Sequence, residues 1–263
     1  MRKRMNKGQR TNFDFLAEGY SFWAWVMGPR GYPEALKALP ESTHFALDAG
    51  CGSGVLSLQL ADHVDYMVGV DRSFLMIKLA KSHQDNLKKK NVDFIVADLE
   101  KLPFKDKCYD FVVSNTVLHV TQLEVTLPGL RRLLKPRGRM VLCDIVSIHP
   151  RLDAYPVWRI FRILRNIPRY AFSHGFYTMW RILRFLMSPE WIQYICKDKK
   201  KKLTPEAFKE IYTRFLPGCR IESPPKKSWR MVVFWEAPFS ENHKTTLPST
   251  LNNEGNVSKQ TLR

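Results

Sequence analysis

Cysteine is sparse in this chain, and what there is follows no pattern: Cys51, Cys108, Cys143, Cys196 and Cys219 are odd in number and include no C-x-x-C pair. That excludes a disulfide framework and a zinc ribbon, leaves no metal-ligand spacing to build on, and favours a reducing compartment. Long apolar runs are missing too. Met1-Arg2-Lys3-Arg4 opens basic, yet the apolar stretch of about 7 to 15 residues that would make a secretory signal does not follow. Arginines break the most apolar stretch, 157–187, about every third residue, so nothing approaches the roughly 18 uncharged positions of a membrane-spanning helix. The expectation is a cytoplasmic protein, soluble or peripheral to a membrane. No internal repeat is present. Acidic side chains are the other shortage, 25 against 42 Lys and Arg, for a net charge of +17. Such an excess predicts attraction to phosphate or anionic lipid and says nothing about fold.

The excess is unevenly placed. Residues 1–150 carry 21 basic and 16 acidic side chains, and residues 151–263 carry 21 and 9, so the second half supplies most of the basic surface. With 263 residues, 44% hydrophobic and 12% aromatic, the composition excludes wholesale disorder and a collagenous chain. It leaves room for one large or two small domains.

Short runs rich in Val, Ile and Phe recur between helical patterns: 44–47, 66–70, 93–96, 109–113 and 139–146. Near-continuous apolar strands alternating with helices predict βαβ units and a parallel sheet covered on both faces. Thr121 and Glu124 have the spacing of a capping box, with Leu123, Leu127, Leu130 and Leu134 at helical intervals up to a stop at Pro136-Arg137-Gly138. Thr204-Pro205 opens a further helix carrying Phe208, Ile211 and Phe215 on one face. Two last runs, 220–223 and 228–235, joined by Pro224-Pro225-Lys226-Lys227, predict an antiparallel hairpin closing the sheet. Residues 239–263 are polar and poor in aromatics and are expected to form a disordered tail.

The most informative segment is Asp48-Ala49-Gly50-Cys51-Gly52-Ser53-Gly54, between the first strand and a helix beginning near Val55. Glycines at alternate positions allow a sharp turn and close approach of backbone to a ligand, and the helix start presents unpaired N–H groups. Asp71 ends the second strand seventeen residues after Gly54, where a carboxylate can accept from two ribose hydroxyls. Ala97-Asp98-Leu99 ends the third, offering a carboxylate for an exocyclic amine beside a backbone N–H for a ring nitrogen. A nucleoside, with adenine as its base, fits these three strand ends. A nicotinamide-binding Rossmann unit also places an acid about 20 residues beyond its glycines. Here, however, the third glycine follows the second after one residue rather than two, and the Asp98 site has no counterpart in that pattern.

These residues resemble the class I S-adenosylmethionine-dependent methyltransferases, in particular the broad small-molecule group often labelled type 11. The resemblance covers about residues 13 to 146 and the closing hairpin more loosely. It rests on Asp48 to Gly54, Val70-Asp71, Ala97-Asp98-Leu99 before Leu102-Pro103-Phe104, Tyr109-Asp110 through Leu118-His119, and Leu133 to Gly138. It implies a Rossmann-like α/β fold: a seven-stranded, mostly parallel sheet with an antiparallel closing hairpin and a helical lid inserted at 147–203, all within one domain over 1–238. Carried over residue by residue, it implies S-adenosyl-L-methionine as cofactor. Gly50 and Gly52 would surround its methionine part, Asp71 would take its ribose, Asp98 and Leu99 its adenine, and Asn115 would lie near its sulfonium, with Asp48, Ala49 and Arg72 also among the cofactor-binding residues. Phe13 to Ala17 with Tyr20 looks like the N-terminal helix that covers the cofactor in this family. Asp48 can alternatively anchor the turn without touching ligand, and Cys51 reads as a small turn residue, since no histidine is adjacent in sequence to activate it.

Methyl transfer from such a donor is an in-line displacement in which the protein chiefly supplies alignment and exclusion of water. A hydroxyl or carbon acceptor also needs a proton acceptor. His119, after the fourth strand, is the best placed; the alternative is a packing or cofactor-contact histidine. His149 and His174 come next. The segment 151–202 carries 12 basic and 3 acidic residues with eleven aromatics. Within it Arg159, Arg162, Arg165 and Arg169 share one side of a helical projection, with Trp158, Phe161 and Leu164 on the other. Such a lid can pack on the sheet with its arginines merely solvated, or lay aromatics into an anionic bilayer surface, or bind nucleic acid. The last is disfavoured, because Ser114-Asn115-Thr116-Val117 lacks the Pro-Pro-Tyr/Phe signature of enzymes methylating exocyclic amines of nucleic acid. The expectation is methyl transfer to a small acceptor; the alternative is a methyltransferase-fold binding protein without activity.

Overall fold

The computed structural model describes residues 14–28, 32–147, 175–198, 202–223 and 229–239. Phe13, His149, His174, the arginine-bearing stretch 158–169 and the tail beyond Phe239 lie outside the described residues. The sheet comprises β1 (Phe45–Ala49), β2 (Tyr66–Asp71), β3 (Val92–Val96), β4 (Tyr109–Asn115), β5 (Leu134–Ile145), β6 (Arg220–Glu222) and β7 (Arg230–Glu236). Its order is β3-β2-β1-β4-β5-β7-β6. The first five strands are parallel, and β7 runs antiparallel to β5 on one side and β6 on the other. The chain starts at β1, builds outward to β3, then returns to place β4 on the other side of β1. That reversal opens a crevice outside the carboxyl ends of β1 and β4, where open α/β sheets bind ligands.

Around the sheet lie α1 (Ala17–Met27), α2 (Tyr32–Ala38), α3 (Val55–Leu60), α4 (Phe74–Asn86), α5 (Leu123–Leu133), α6 (Phe176–Leu186), α7 (Pro189–Asp198) and α8 (Pro205–Phe215). One face of the sheet is covered by α5 and α8, whose Leu127, Leu130, Phe208 and Tyr212 bury against Leu47, Val112, Leu142 and Val233. The other face meets α2, α3 and α4 through Ala35, Leu58, Ile77 and Ala80, packed on Ala46, Met67, Phe111 and Val141. Each fully buried Leu, Ile, Val, Met or Phe among them contributes roughly 1.5–3 kcal/mol.

The sequence rules hold for α8, where Thr204 accepts from the Ala207 N–H at 3.3 Å and Pro205 takes the first turn. They fail at α5. Thr121 is not a capping residue: its hydroxyl donates to the Leu118 carbonyl at 2.8 Å, closing the short turn 118–120, while Gln122 precedes the helix with its N–H on Glu100 Oε1 at 2.9 Å. The helix also stops at Leu133, before Leu134. Leu134 opens β5 instead, paired with Tyr109 across a β-bulge, because the ladder to β4 buries it as well as another helical turn would. Pro136 to Gly138 therefore lie within β5 and do not mark the helix stop.

Candidate functional site

The turn after β1 is tied to β2, with the N–H groups of Gly50 and Cys51 both donating to the Val70 carbonyl, at 2.8 and 2.9 Å. Gly50 and Gly52 both lie at positive φ, +82° and +55°, a region an L side chain enters only at a cost. Their surroundings differ. A Cβ on Gly50 would stand 2.4 Å from Val117 Cγ1, so the β4–α5 loop presses directly on the turn, whereas a Cβ on Gly52 would meet nothing within 4 Å. Val117 is held there by a strained neighbour: Thr116, β-branched, has φ +61° and donates its N–H to the Cys143 carbonyl at 2.7 Å. Strain of this kind survives only where surrounding structure imposes it, commonly beside a functional site.

Asp71 closes the turn from below. Its Oδ2 accepts the Gly52 N–H at 3.0 Å and its Oδ1 the Ser73 N–H at 2.8 Å. Burial pushes its carboxyl up, against the lowering effect of those two N–H groups and of Arg72. Each oxygen keeps a further lone pair. Ala49 is fully buried at the end of β1, and its carbonyl accepts from Ser114 Oγ at 2.7 Å. Asp48, 1% exposed, faces away from solvent and accepts from Ser57 Oγ of α3 at 2.6 Å; burial pushes its carboxyl up to about 7. Cys51 is buried and its thiol is pushed well above the ordinary range, first by burial and then by Asp48, so it remains a neutral side chain in the turn.

At the end of β3, exposed Asp98 caps the following short turn by accepting the Glu100 N–H at 3.1 Å, and Leu99 sends its side chain into the core. Arg72 is exposed, and Asn115 is half-buried at the end of β4, its Oδ1 accepting from Thr116 Oγ1 at 3.2 Å. His119 is set deeper. Its side chain is 6% exposed, with Nδ1 2.6 Å from Asp144 Oδ1, and its backbone N–H donates to Asp144 Oδ2 at 2.7 Å. Asp144, 2% exposed, was not singled out in the sequence, although an aspartate interrupting the apolar run Met140 to Ile145 is a usable signal.

Tyr20 lies on α1, its ring against Trp23 and Trp191 at 5.5 and 6.2 Å, and contacts on both sides fix that helix. Asp14, just before it and buried, accepts from Ser73 Oγ at 2.6 Å, the same Ser73 whose N–H holds Asp71. On its other side Gly19 lies so close to α6 that a Cβ would stand 2.2 Å from the Phe185 ring. Arg181 stacks over Phe22 at 3.8 Å, and the Trp191 ring of α7 gathers Tyr20, Trp23, Phe185 and Tyr194 at centroid distances of 4.9–6.2 Å. No group of three or more His, Cys, Asp or Glu able to hold a metal occurs among the described residues.

This arrangement of turn, strand ends and sheet order is that of the class I methyltransferases. Residues 41–177 match the family model described as a methyltransferase domain, and the chain belongs to that family. It is 33% identical over 116 residues to a malonyl-[acyl-carrier protein] O-methyltransferase of Herminiimonas arsenicoxydans, the match covering 43% of this chain and 41% of that protein. It is 28% identical over 171 residues to a demethylmenaquinone methyltransferase of Streptomyces griseus, covering 62% and 68%. Against the first of these the chain spans less than half the relative's length. Among solved structures, a putative methyltransferase in complex with the Trm112 activator of Haloferax volcanii aligns with TM-score 0.61 at 20% identity, covering 87% of this chain and 99% of that one. A phosphoethanolamine N-methyltransferase of Haemonchus contortus, bound to S-adenosyl-L-methionine, aligns with TM-score 0.59 at 16% identity, covering 90% and 62%. At such identities these two likenesses speak for the fold.

Proposed function

We propose that the chain binds S-adenosyl-L-methionine across the carboxyl ends of β1, β2 and β3 and transfers its methyl group to an oxygen, nitrogen or carbon of a small acceptor. The observation that carries this reading is the Gly52 turn: its N–H is fastened to Asp71 Oδ2 at 3.0 Å while the side where a Cβ would project is open to 4 Å. Such a cradle suits a ligand that lies against backbone and ends on the carboxylate below. When bound, the cofactor supplies an already activated methyl group, so no covalent enzyme intermediate is needed.

The residues then divide the work. Asp71, with a lone pair left on each oxygen, accepts from the two ribose hydroxyls, and Arg72 flanks it. Asp98 and Leu99 address the adenine, Gly50 and Gly52 the methionine part, Asn115 the sulfonium end, and Tyr20 covers the crevice. Asp48, turned toward Ser57, holds the turn in shape as a positioning residue. His119 takes the acceptor's proton where the acceptor is a hydroxyl: Asp144 on Nδ1 fixes the tautomer that leaves Nε2 as the proton-accepting nitrogen and stabilises the imidazolium once formed. Burial of both keeps water from competing.

The outer face of α6 supports a peripheral contact with an anionic, lipid-like surface. Phe176 is 82% and Tyr177 70% exposed, Trp180 is exposed with the Arg184 guanidinium 5.1 Å over its ring, and aromatics interleaved with arginine suit the headgroup boundary. No helix among the described residues is long and apolar enough to cross a membrane. The four described cysteines are all free thiols, in keeping with a cytoplasmic location. Calorimetric titration with S-adenosylmethionine and its demethylated product tests the cofactor: saturable binding is expected, weakened more than tenfold in Asp71→Ala, whose lost charge-assisted bonds are worth about 1.5–3 kcal/mol each. Absence of binding, or unchanged affinity in the variant, would refute the assignment. Salt-sensitive sedimentation with anionic vesicles tests the surface contact, and no binding removes it.

A further inference from the structure

Arg230 opens β7 directly opposite Ile145, the last residue of β5, so it stands at the same carboxyl edge of the sheet as the Gly50 turn, Asp71 and Asn115. Alternation along β5 puts Ile145 on the face of Cys143, and Cys143 is the register partner of Asn115. Arg230 and Asn115 therefore share a sheet face, two strands apart. A charged side chain only 3% exposed demands an explanation. Its Nη1 lies 3.3 Å from Glu34 Oε1 of α2, and the Cys143 thiol is beside it, kept neutral by burial that pushes it to about 11.

Apart from the neighbouring Cys143 thiol, a weak hydrogen-bond partner of the guanidinium, its remaining edge is unpaired. Nε and Nη2 are buried with no hydrogen-bond partner among the described residues, and so is Glu34 Oε2. The strongest Arg–carboxylate pairs are bidentate, with both oxygens on two guanidinium nitrogens. Here Glu34 takes a single nitrogen at long range, holding the side chain in place without closing its fork. The unpaired atoms are the two parallel N–H donors whose spacing matches the oxygens of a carboxylate or phosphoryl group. Their seclusion from water makes such a pairing strong and an unfilled edge costly.

We infer that the Nε–Nη2 edge of Arg230 is the receptor for an oxyanion, a carboxylate or phosphate, carried by the methyl acceptor. The inference rests on the methyl-transfer reading for the word acceptor; the oxyanion site itself stands on the geometry. The full chain is titrated with benzoate, phenyl phosphate and neutral benzamide, with and without S-adenosylhomocysteine. At least one anion is expected to bind tenfold or more tighter than benzamide, and to lose tenfold or more in Arg230→Lys while S-adenosylhomocysteine affinity stays unchanged. Preference for benzoate assigns a carboxylate, and preference for phenyl phosphate a phosphate. Equal binding of benzamide, or anion affinity unchanged in Arg230→Lys, overturns the proposal. Should that variant fail to fold, Glu34→Gln decides: removing the neighbouring negative charge raises anion affinity threefold or more, and no gain overturns the site. Failure of S-adenosylhomocysteine to bind sinks the methyl-transfer reading separately, and the titrations without it still decide Arg230.

Discussion

Alanine at Gly52 and alanine at Gly50 separate what the turn does for the fold from what it does for a ligand. Both positions have positive φ, so each replacement carries the left-handed backbone cost of about 1–2 kcal/mol. At Gly52 nothing is added to that, because no atom stands within 4 Å of the new methyl. At Gly50 the methyl would be 2.4 Å from Val117 Cγ1 and 2.8 Å from its Cβ, and the loop bearing Val117 is already strained at Thr116. Overpacking of this kind adds about 1–3 kcal/mol, for a total of about 2–5 kcal/mol. With melting temperatures falling about 2–4 °C per kcal/mol in a domain of this size, Gly52→Ala loses a few degrees and Gly50→Ala markedly more. Affinity for S-adenosylhomocysteine, measured by calorimetry on protein still folded, runs the other way for Gly52→Ala: its methyl fills the cradle and binding falls tenfold or more. A Gly52→Ala protein that binds like the wild type, or that unfolds as readily as Gly50→Ala, would refute the reasoning.

Three further outcomes follow from buried contacts. Asp48, pushed up from 3.8 to about 7 by burial, binds its proton more tightly in the folded state, so its contribution is fully present below about pH 4 and is lost as pH rises to about 7. At 1.36 kcal/mol per unit this is on the order of 4 kcal/mol, and urea midpoints of Asp48→Asn should lack that decline; parallel pH curves would contradict it. Asp14→Ala removes the acceptor of the buried Ser73 hydroxyl, and a loss of about 1–3 kcal/mol with faster amide exchange in α1 is expected; unchanged exchange counts against the anchor. Gly19→Ala drives a methyl into the Phe185 ring and should cost about 1–3 kcal/mol while shifting the emission of Trp191, which packs on Phe185; an unaltered spectrum and melting point would show that α1 and α6 yield freely.

The run at 66–70 lies within β2 almost residue for residue because a central parallel strand must be apolar on both faces, and the run at 93–96 lies within β3 although that strand is at the sheet edge and exposes Asp93, Ile95 and Val96. The turn glycines and the acids at 71 and 98 were readable because their spacing is local. What escaped depends on partners far apart in the chain. Leu134 has helical spacing but pairs with Tyr109; Thr121 has capping spacing but finds the Leu118 carbonyl nearer. Asp144 meets His119 across 25 residues, Asp14 meets Ser73 across 59, and Glu34 meets Arg230 between helix and strand at opposite ends of the chain. No periodicity encodes such pairs, and a lone acid in an apolar strand is the most that a sequence displays of them.

Ser73 is a single residue with three duties: its N–H donates to Asp71, its hydroxyl donates to Asp14, and the same oxygen caps α4 by accepting the Met76 N–H. The entry helix and the Asp71 carboxylate, to which the proposal gives the ribose, are thereby joined through one side chain at the start of α4. A motion that swings α1 away must first break the Ser73–Asp14 bond next to Asp71, so, on the proposed cofactor reading, release of product and lifting of α1 would be mechanically coupled.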